Sequence, residues 1–171
     1  MPRYVAFLRG VSPLNAQMTT LKRSFEAAGF TDVRTLLSSG NVAFDARASS
    51  LDALQRRAEK AMHAELGSSF DATIRSTQYL REFVASDPFA EFRLAPHAKR
   101  VVSFLRNPAT SGIELPVERD GATILKLAGT EILTAYTVTA KGPVFMSLLE
   151  RTFGKEITTR TLATVQKCSV A

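Results

Sequence analysis

The segment TLLSSGNVAF, residues 35–44, places two apolar runs on either side of a small polar turn at residues 38–41. Glycine and asparagine tolerate positive φ angles, so the Gly-Asn pair in this turn predicts a tight β-hairpin. Val42 and Phe44 alternate with small or polar neighbours, which indicates a second strand with one buried face. The turn also raises a functional question, because polar residues at a hairpin tip can line a binding site.

The segments around this hairpin alternate between strand and helix periodicity. Apolar residues recur at helical spacing over residues 18–28 and again over residues 51–66, and Ser50 is a good N-cap for the second stripe. The order β-α-β-β-α-β is that of the ferredoxin-like fold, which predicts a four-stranded antiparallel sheet with two helices on one face for residues 3–76. The predicted strands are residues 3–9, 33–38, 41–46 and 70–75.

The remainder of the chain is richer in strand patterns than the first part. We predict an α+β fold with a ferredoxin-like α/β subdomain at residues 1–86 and a proline-containing junction at residues 87–99. A second, strand-richer α/β subdomain at residues 100–171 is expected to end in a helix. Its pattern makes it a candidate distorted repeat of the first half, without a recognised sequence repeat.

The final segment ITTRTLATVQK, residues 157–167, is predicted to be a docked helix. Thr158 or Thr159 is expected to be its N-cap, because a threonine hydroxyl can accept from the first free N–H groups. Leu162 and Val165 lie three residues apart and are expected to form the buried stripe. The arginine after Thr159 would then lie in the first turn, where the helix dipole disfavours a cation, which suggests a carboxylate partner or a bound anion.

Composition excludes few classes of function. The chain of 171 residues carries a formal charge of +6, but residues 1–86 and residues 87–171 each hold 11 basic and 8 acidic side chains. This diffuse excess disfavours, without excluding, a dedicated nucleic-acid interface, which needs a compact basic footprint. One cysteine allows no intramolecular disulfide, and the apolar run near the N-terminus is too short for a leader or a membrane span. We therefore predict a cytoplasmic protein with no membrane partner.

Topology predicts that polar residues from distant segments gather at one end of the first sheet. The hairpin tip lies at the same end as the C-terminus of the first strand, and the free N–H groups of the first helix favour an anion there. An alternative without function explains the hairpin residues as turn formers and the arginine as half of an ion pair. The candidate ligand-binding residues are Arg9, Gly10, Ser38, Ser39, Gly40 and Asn41, with Thr159 and Arg160 from the terminal segment.

The sequence contains no recognisable set of residues for catalysis or for holding a metal or cofactor. Phosphate-loop, dinucleotide-binding and zinc-protease motifs do not occur. His63, His97 and Cys168 are isolated from one another, so we predict no metal site, no cofactor and no catalytic residue. An RNA-recognition motif needs stacking aromatics on its third strand, where Asn41 and Asp45 cannot stack.

At AFLRGV, GFTDVRTLLSSGNVAFD and EITTRTLATVQK, the chain resembles a bacterial family of unknown function, the domain-of-unknown-function 1697 family. The resemblance extends from Tyr4 to Lys167 and implies an α+β fold with ferredoxin-like halves, but no established activity. Three residues depart from the family pattern: Pro13 stands in the glycine-rich loop, Ser38 replaces a glutamine, and Leu162 stands where tryptophan is usual. Because proline lacks an N–H donor, this loop is disfavoured as a phosphate cradle, and its function is a candidate for change or loss.

Three classes of function remain compatible with these patterns. The sequence favours a soluble binding or regulatory module with an anionic small-molecule site near Arg9 and the hairpin at residues 38–41. One alternative is an enzyme of unknown reaction at the same end of the sheet, which the lack of a nucleophile and base disfavours. The other is a weak nucleic-acid or protein-interaction module.

Overall fold

The computed structural model describes residues 1–37, 40–68, 70–109 and 112–171. Within these residues the chain forms two compact units, Met1–Ala85 with Gln166–Ala171, and Ser86–Val165. None of the described helices is long and apolar enough to cross a membrane. The described elements are β1 (Arg3–Leu8), α1 (Met18–Ala27), β2 (Thr31–Leu36), β3 (Asn41–Asp45), α2 (Leu51–Leu66), β4 (Ala72–Ser76), α3 (Thr77–Ala85), β5 (Lys99–Leu105), β6 (Val117–Arg119), β7 (Ala122–Ala128), β8 (Glu131–Tyr136), α4 (Phe145–Phe153), β9 (Ile157–Thr161) and α5 (Leu162–Ser169).

The first sheet confirms the predicted ferredoxin-like topology. Its strand order is β2-β3-β1-β4, and every neighbouring pair is antiparallel. Alternation along β1 places Tyr4, Ala6 and Leu8 in a core that also contains residues of α1 and α2, so both helices cover one face. Phe44 of β3 stacks on Phe30 in this core, with ring centroids 4.3 Å apart.

The second sheet has the order β6-β7-β8-β5-β9 and is also antiparallel. In it β5, β7, β8 and β9 take the places that β1, β2, β3 and β4 take in the first sheet, and α4 precedes the last strand as α2 does. No helix is described between β5 and β6, and β6 is an added edge strand. Leu148 and Leu149 of α4 pack with Leu105 and Ile157 on one face. The second unit therefore has the topology of the first without its first helix.

The terminal segment differs from its prediction. Ile157–Thr161 forms β9, so the expected N-caps Thr158 and Thr159 lie in a strand. β-branched threonines favour extended backbone, and β5 supplies an antiparallel partner. The helix α5 begins after Thr161, whose hydroxyl accepts from the Thr164 N–H at 3.2 Å.

Because β9 takes the place of the predicted first turn of a helix, nearby residues have environments that differ from the prediction. Arg160 lies in a strand and not in the first turn of a helix, so the helix dipole does not act on it as predicted. Val165 is fully buried, as expected for the docked stripe, whereas Leu162 is only half-buried. The buried side of α5 consists of Val165, Cys168 and Ser169.

The last residues of the chain belong to a different compact unit from the residues that precede them. Residues 87–99, which the sequence suggested as a junction, belong to the second unit, and Gln166–Ala171 belongs to the first. Arg3 Nε donates to the Ala171 carbonyl at 2.9 Å, and Arg81 Nη1 donates to the Ser169 carbonyl at 3.4 Å. Such contacts join residues far apart in sequence, so no local pattern could indicate them.

The hydroxyl of Thr161 should contribute to stability as the N-cap of α5. We expect Thr161→Ala to lower the free energy of unfolding by about 1 kcal/mol, because the Thr164 N–H loses its acceptor. Thr161→Ser keeps the hydroxyl and should stay within about 0.5 kcal/mol of the parent. Urea denaturation followed by circular dichroism measures both values. Equal losses in the two variants would assign the effect to the methyl group and contradict the capping role.

Candidate functional site

The end of β1 lies between the start of β3 and the start of β4. The Leu8 N–H donates to the Gly40 carbonyl at 2.7 Å, and the Arg9 N–H donates to the Asp71 carbonyl at 3.0 Å. Phe7 pairs directly with Asn41. Arg9, Gly40 and Asn41 therefore lie at the same end of the first sheet.

The other candidate residues have different positions. Gly10 follows Arg9 with a φ of 81°, a left-handed conformation that glycine adopts without strain. Thr159 and Arg160 belong to β9 in the second sheet, and Thr159 shares a hydroxyl hydrogen bond of 2.7 Å with Ser103. Ser38 and Ser39, which the sequence placed at the hairpin tip, lie outside the described residues.

Strand alternation puts several polar side chains on the sheet face opposite the helix-covered core. Phe7 and Arg9 alternate with the core residue Leu8, and the partners of that face follow from the pairing register. These polar residues, called here the first polar set, are Arg9, Asn41, Asp71, Thr73 and Arg75.

Three residues of the first polar set are buried, whereas Arg9 and Asp71 are more exposed. Asn41, Thr73 and Arg75 are at most 4% exposed, whereas Arg9 is half-buried and Asp71 is exposed. Arg75 Nη1 donates to the Ile74 carbonyl at 2.9 Å, and Asn41 Nδ2 donates to the Leu36 carbonyl at 3.3 Å. The set is therefore exposed to solvent mainly at the end formed by Arg9 and Asp71.

The loop after Gly10 is a compact turn organised by Asn15. Asn15 Nδ2 donates to the Gly10 carbonyl at 2.7 Å, while its Oδ1 accepts from the Ser12 N–H at 2.8 Å. Pro13 lies in this turn without an N–H to donate, and Leu14 is 98% exposed. The side chain of Asn15 thus supplies two hydrogen bonds that hold this loop.

The loop leads into the N-terminus of α1, which carries partial positive charge. Its N-cap Gln17 makes no side-chain capping hydrogen bond, and the first turn contains no acidic residue. Lys22 and Arg23 follow in the second turn. The unsatisfied N–H groups and these cations favour negative charge near this end of the first unit.

A separate cavity of about 380 Å³ opens between α1 and α2 in the first unit. Arg57 at its margin donates from Nη2 to the Ala28 carbonyl at 2.7 Å and lies over the Phe30 ring, 4.6 Å from its centroid. These contacts cap the C-terminus of α1, so the position of Arg57 has a structural reason. Lys60 and Glu65 also line this cavity.

The two histidines and the cysteine differ in their exposure to solvent. His63 and His97 are exposed, and Cys168 is fully buried. Among the residues that the structure describes, no group of three or more histidine, cysteine, aspartate or glutamate side chains could hold a metal ion.

Asp71, Thr73 and Arg75 were not predicted as site residues from the sequence, and of a matching set in the second unit only Arg160 was. The signal that could have indicated them is a pair of similar segments, RYVAFLR at residues 3–9 and RVVSFLR at residues 100–106. Both lead into the same strand pairings, because β5 takes the place of β1. The matching residues, called here the second polar set, are Arg106, Glu131, Glu156, Thr158 and Arg160.

Comparison with known proteins identifies the fold and the family. No curated protein sequence matches the chain. The conserved bacterial protein SP0830 from Streptococcus pneumoniae has a similar structure, with a TM-score of 0.69 over 99% of this chain and 97% of that chain at 19% sequence identity. At that identity the likeness concerns the fold alone. The family described as Protein of unknown function (DUF1697) matches residues 1–132, which is more than half of the chain, and the chain belongs to that family.

Proposed function

We propose that this protein is a binding or regulatory module that holds an anionic small molecule at the Arg9 end of the first sheet. The observation that carries the proposal is the position of Arg9, a half-buried residue at the end of the first sheet whose backbone N–H donates to the Asp71 carbonyl. Arginine presents a planar fork of donors that suits carboxylate and phosphate groups.

The surroundings of Arg9 support an anion over other ligands. The N-terminus of α1 follows the Asn15 loop, and its first turn has no acidic residue to neutralise it. Helix N-termini attract anions through their free N–H groups and the helix dipole. Gly10 and Gly40 both have positive φ angles, and neither carries a side chain that would hinder a ligand.

Binding is better supported than conversion of the ligand. The first polar set contains one carboxylate, Asp71, and neither histidine nor cysteine. It therefore offers no pair of groups for acid and base catalysis at neutral pH. An enzyme acting at this end would need its reactive groups from the ligand or from elsewhere.

Anion binding should depend on Arg9. In thermal-shift measurements with inorganic phosphate, citrate and adenosine monophosphate, we expect at least one anion to raise the Tm of the parent. At 100 times Kd the added stability is about 2.7 kcal/mol, or roughly 5–10 °C for a domain of this size. Arg9→Ala should abolish this increase without changing the Tm in the absence of anion by more than a few degrees.

Arg56→Ala is the matched control for the loss of one arginine. Arg56 is exposed on α2 and pairs with Asp52 at 2.6 Å, so its removal should cost little and leave the anion response intact. Equal anion responses in the parent and in Arg9→Ala would refute the proposed site, and so would a parent that responds to none of the anions.

Asn15 should hold the loop that borders the site. We expect Asn15→Ala to speed hydrogen exchange of the Ser12 amide, because that N–H loses its acceptor, and to weaken the response to the anion found above. Asn15→Asp keeps an acceptor for Ser12 and should preserve much of the protection. Leu14→Ala changes an exposed side chain in the same loop and should leave exchange unchanged. Unaltered Ser12 exchange in Asn15→Ala would contradict the organising role.

A further inference from the structure

The cavity between α1 and α2 in the first unit has positive charge at one end and negative charge at the other. Its volume of about 380 Å³ lies within the range of roughly 300–1,000 Å³ that is typical of small-molecule sites. Four alanines line it together with Arg57, Lys60 and Glu65. This cavity is called here the helix cleft. Its size suits a small ligand, and the side chains that line it limit the chemistry of that ligand.

The alanines give the helix cleft an apolar floor. Ala27 and Ala28 contribute to it from the end of α1, and Ala61 and Ala64 contribute from α2. A methyl group leaves space between two helices that a longer side chain would fill. Removing apolar surface from water is favourable, so this floor favours a ligand with an aliphatic part.

The helical spacing puts the cleft residues of α2 on one side of that helix. They lie zero, three, four, seven and eight residues after Arg57, a pattern that forms a single stripe on a helix. The core-facing side of α2 consists of other residues, Leu54, Gln55, Ala58 and Met62. The cleft stripe is therefore distinct from the stripe that builds the core.

The positive end of the helix cleft holds two cations close together. Arg57 and Lys60 lie three residues apart on α2, so their like charges are neighbours and repel each other. The positions four residues after each cation, where a carboxylate would pair with it, hold Ala61 and Ala64. Arg57 donates to a backbone carbonyl and lies over an aromatic ring, neither of which carries a full negative charge. A carboxylate bound at this end would reduce the repulsion.

The negative end of the helix cleft lies where α2 ends. Glu65 is the next to last residue of α2, and the C-terminus of a helix carries partial negative charge. A bound cation would therefore be favoured by Glu65 and by the helix end together. Glu65 follows Lys60 by five residues and Arg57 by eight, which corresponds to roughly 7–12 Å along the helix axis. The two charged ends are thus separated by the apolar floor.

We propose that the helix cleft binds a small dipolar molecule in which a short aliphatic chain joins a carboxylate to an ammonium group. The carboxylate binds at Arg57 and Lys60, the ammonium group binds at Glu65, and the chain lies on the alanines. An aliphatic amino acid and a short peptide share this chemistry. The cleft lies at the C-terminus of α1, whereas the Arg9 end leads into its N-terminus, so the two sites are tested separately.

Backbone NMR with 6-aminohexanoate and with dialanine as probes tests the proposal. We expect at least one probe to shift the amide resonances of Ala28, Ala61 and Ala64 while leaving those of Gly10 and Gly40 unchanged. The tighter probe distinguishes an amino acid with an aliphatic chain from a peptide. Hexanoate lacks the ammonium group and hexylamine lacks the carboxylate. Each should bind about two- to fivefold more weakly than 6-aminohexanoate, as expected for the loss of one exposed ion pair.

Charge-removing variants assign each end of the ligand to its partner. Glu65→Gln should remove the preference for 6-aminohexanoate over hexanoate. Lys60→Gln should weaken both carboxylates about two- to fivefold without weakening hexylamine. Lys141→Gln and Glu118→Gln remove the same charges from exposed positions in the second unit and should behave as the parent does.

A cavity-filling variant tests the location of the ligand. Ala64 is exposed and leucine has a high helix propensity, so Ala64→Leu should fold and should abolish the shifts at Ala28 and Ala61. Unaltered shifts in this variant would overturn the site. A parent whose cleft amides respond to neither probe would overturn it as well. Hexanoate and hexylamine that bind as tightly as 6-aminohexanoate would overturn the dipolar ligand. None of these outcomes alters the proposal for Arg9, which depends on the response to anions at the other end of α1.

Discussion

The register of β1 between β3 and β4 is the constraint on which the first unit depends. Side chains alternate between the two faces of a strand. A slip of one residue would therefore place Arg9 in the core at the position of Leu8 and move every other side chain of β1 to the opposite face. The pairing of Phe7 with Asn41 on one side and Thr73 on the other fixes both adjacent strands at once. The register that builds the core therefore also brings residues of three distant segments to the end of β1.

The second unit obeys the same constraint with different side chains. Its central strand pairs Phe104 with Glu131 and Thr158, which reproduces the backbone arrangement of the first sheet. Because the register repeats, the ends of β1 and β5 have similar backbone arrangements, and only a few side chains make them chemically different. Family membership and a shared fold cannot distinguish these two ends, because function depends on the groups at a site and not on the fold that carries it.

Burial separates structural from accessible residues within the first polar set. A polar group away from water costs free energy unless it is hydrogen-bonded, and Arg75 and Asn41 meet this cost partly through backbone carbonyls. Their side chains are therefore committed to structure as much as to any ligand. Arg9 and Asp71 lie where the strands end and retain access to solvent. This distribution is the reason why we propose the binding site at the end of the sheet.

The sequence by itself determined the helices and strands whose apolar residues recur at a regular spacing. The hairpin, the stripes of α1 and α2, and the β-α-β-β-α-β order follow from repeats of 2 and about 3.6 residues. The proximity of Arg9 and Asn41 also followed, because strand order in this topology is restricted by the connections. Only the tertiary structure decided that residues 157–161 form a strand. The threonines of this segment favour an extended backbone, and pairing with β5 stabilises that backbone. It alone placed Thr73 and Arg75 on the face of Arg9 and matched Glu131 to Asn41, because pairing between segments far apart in sequence depends on the whole fold.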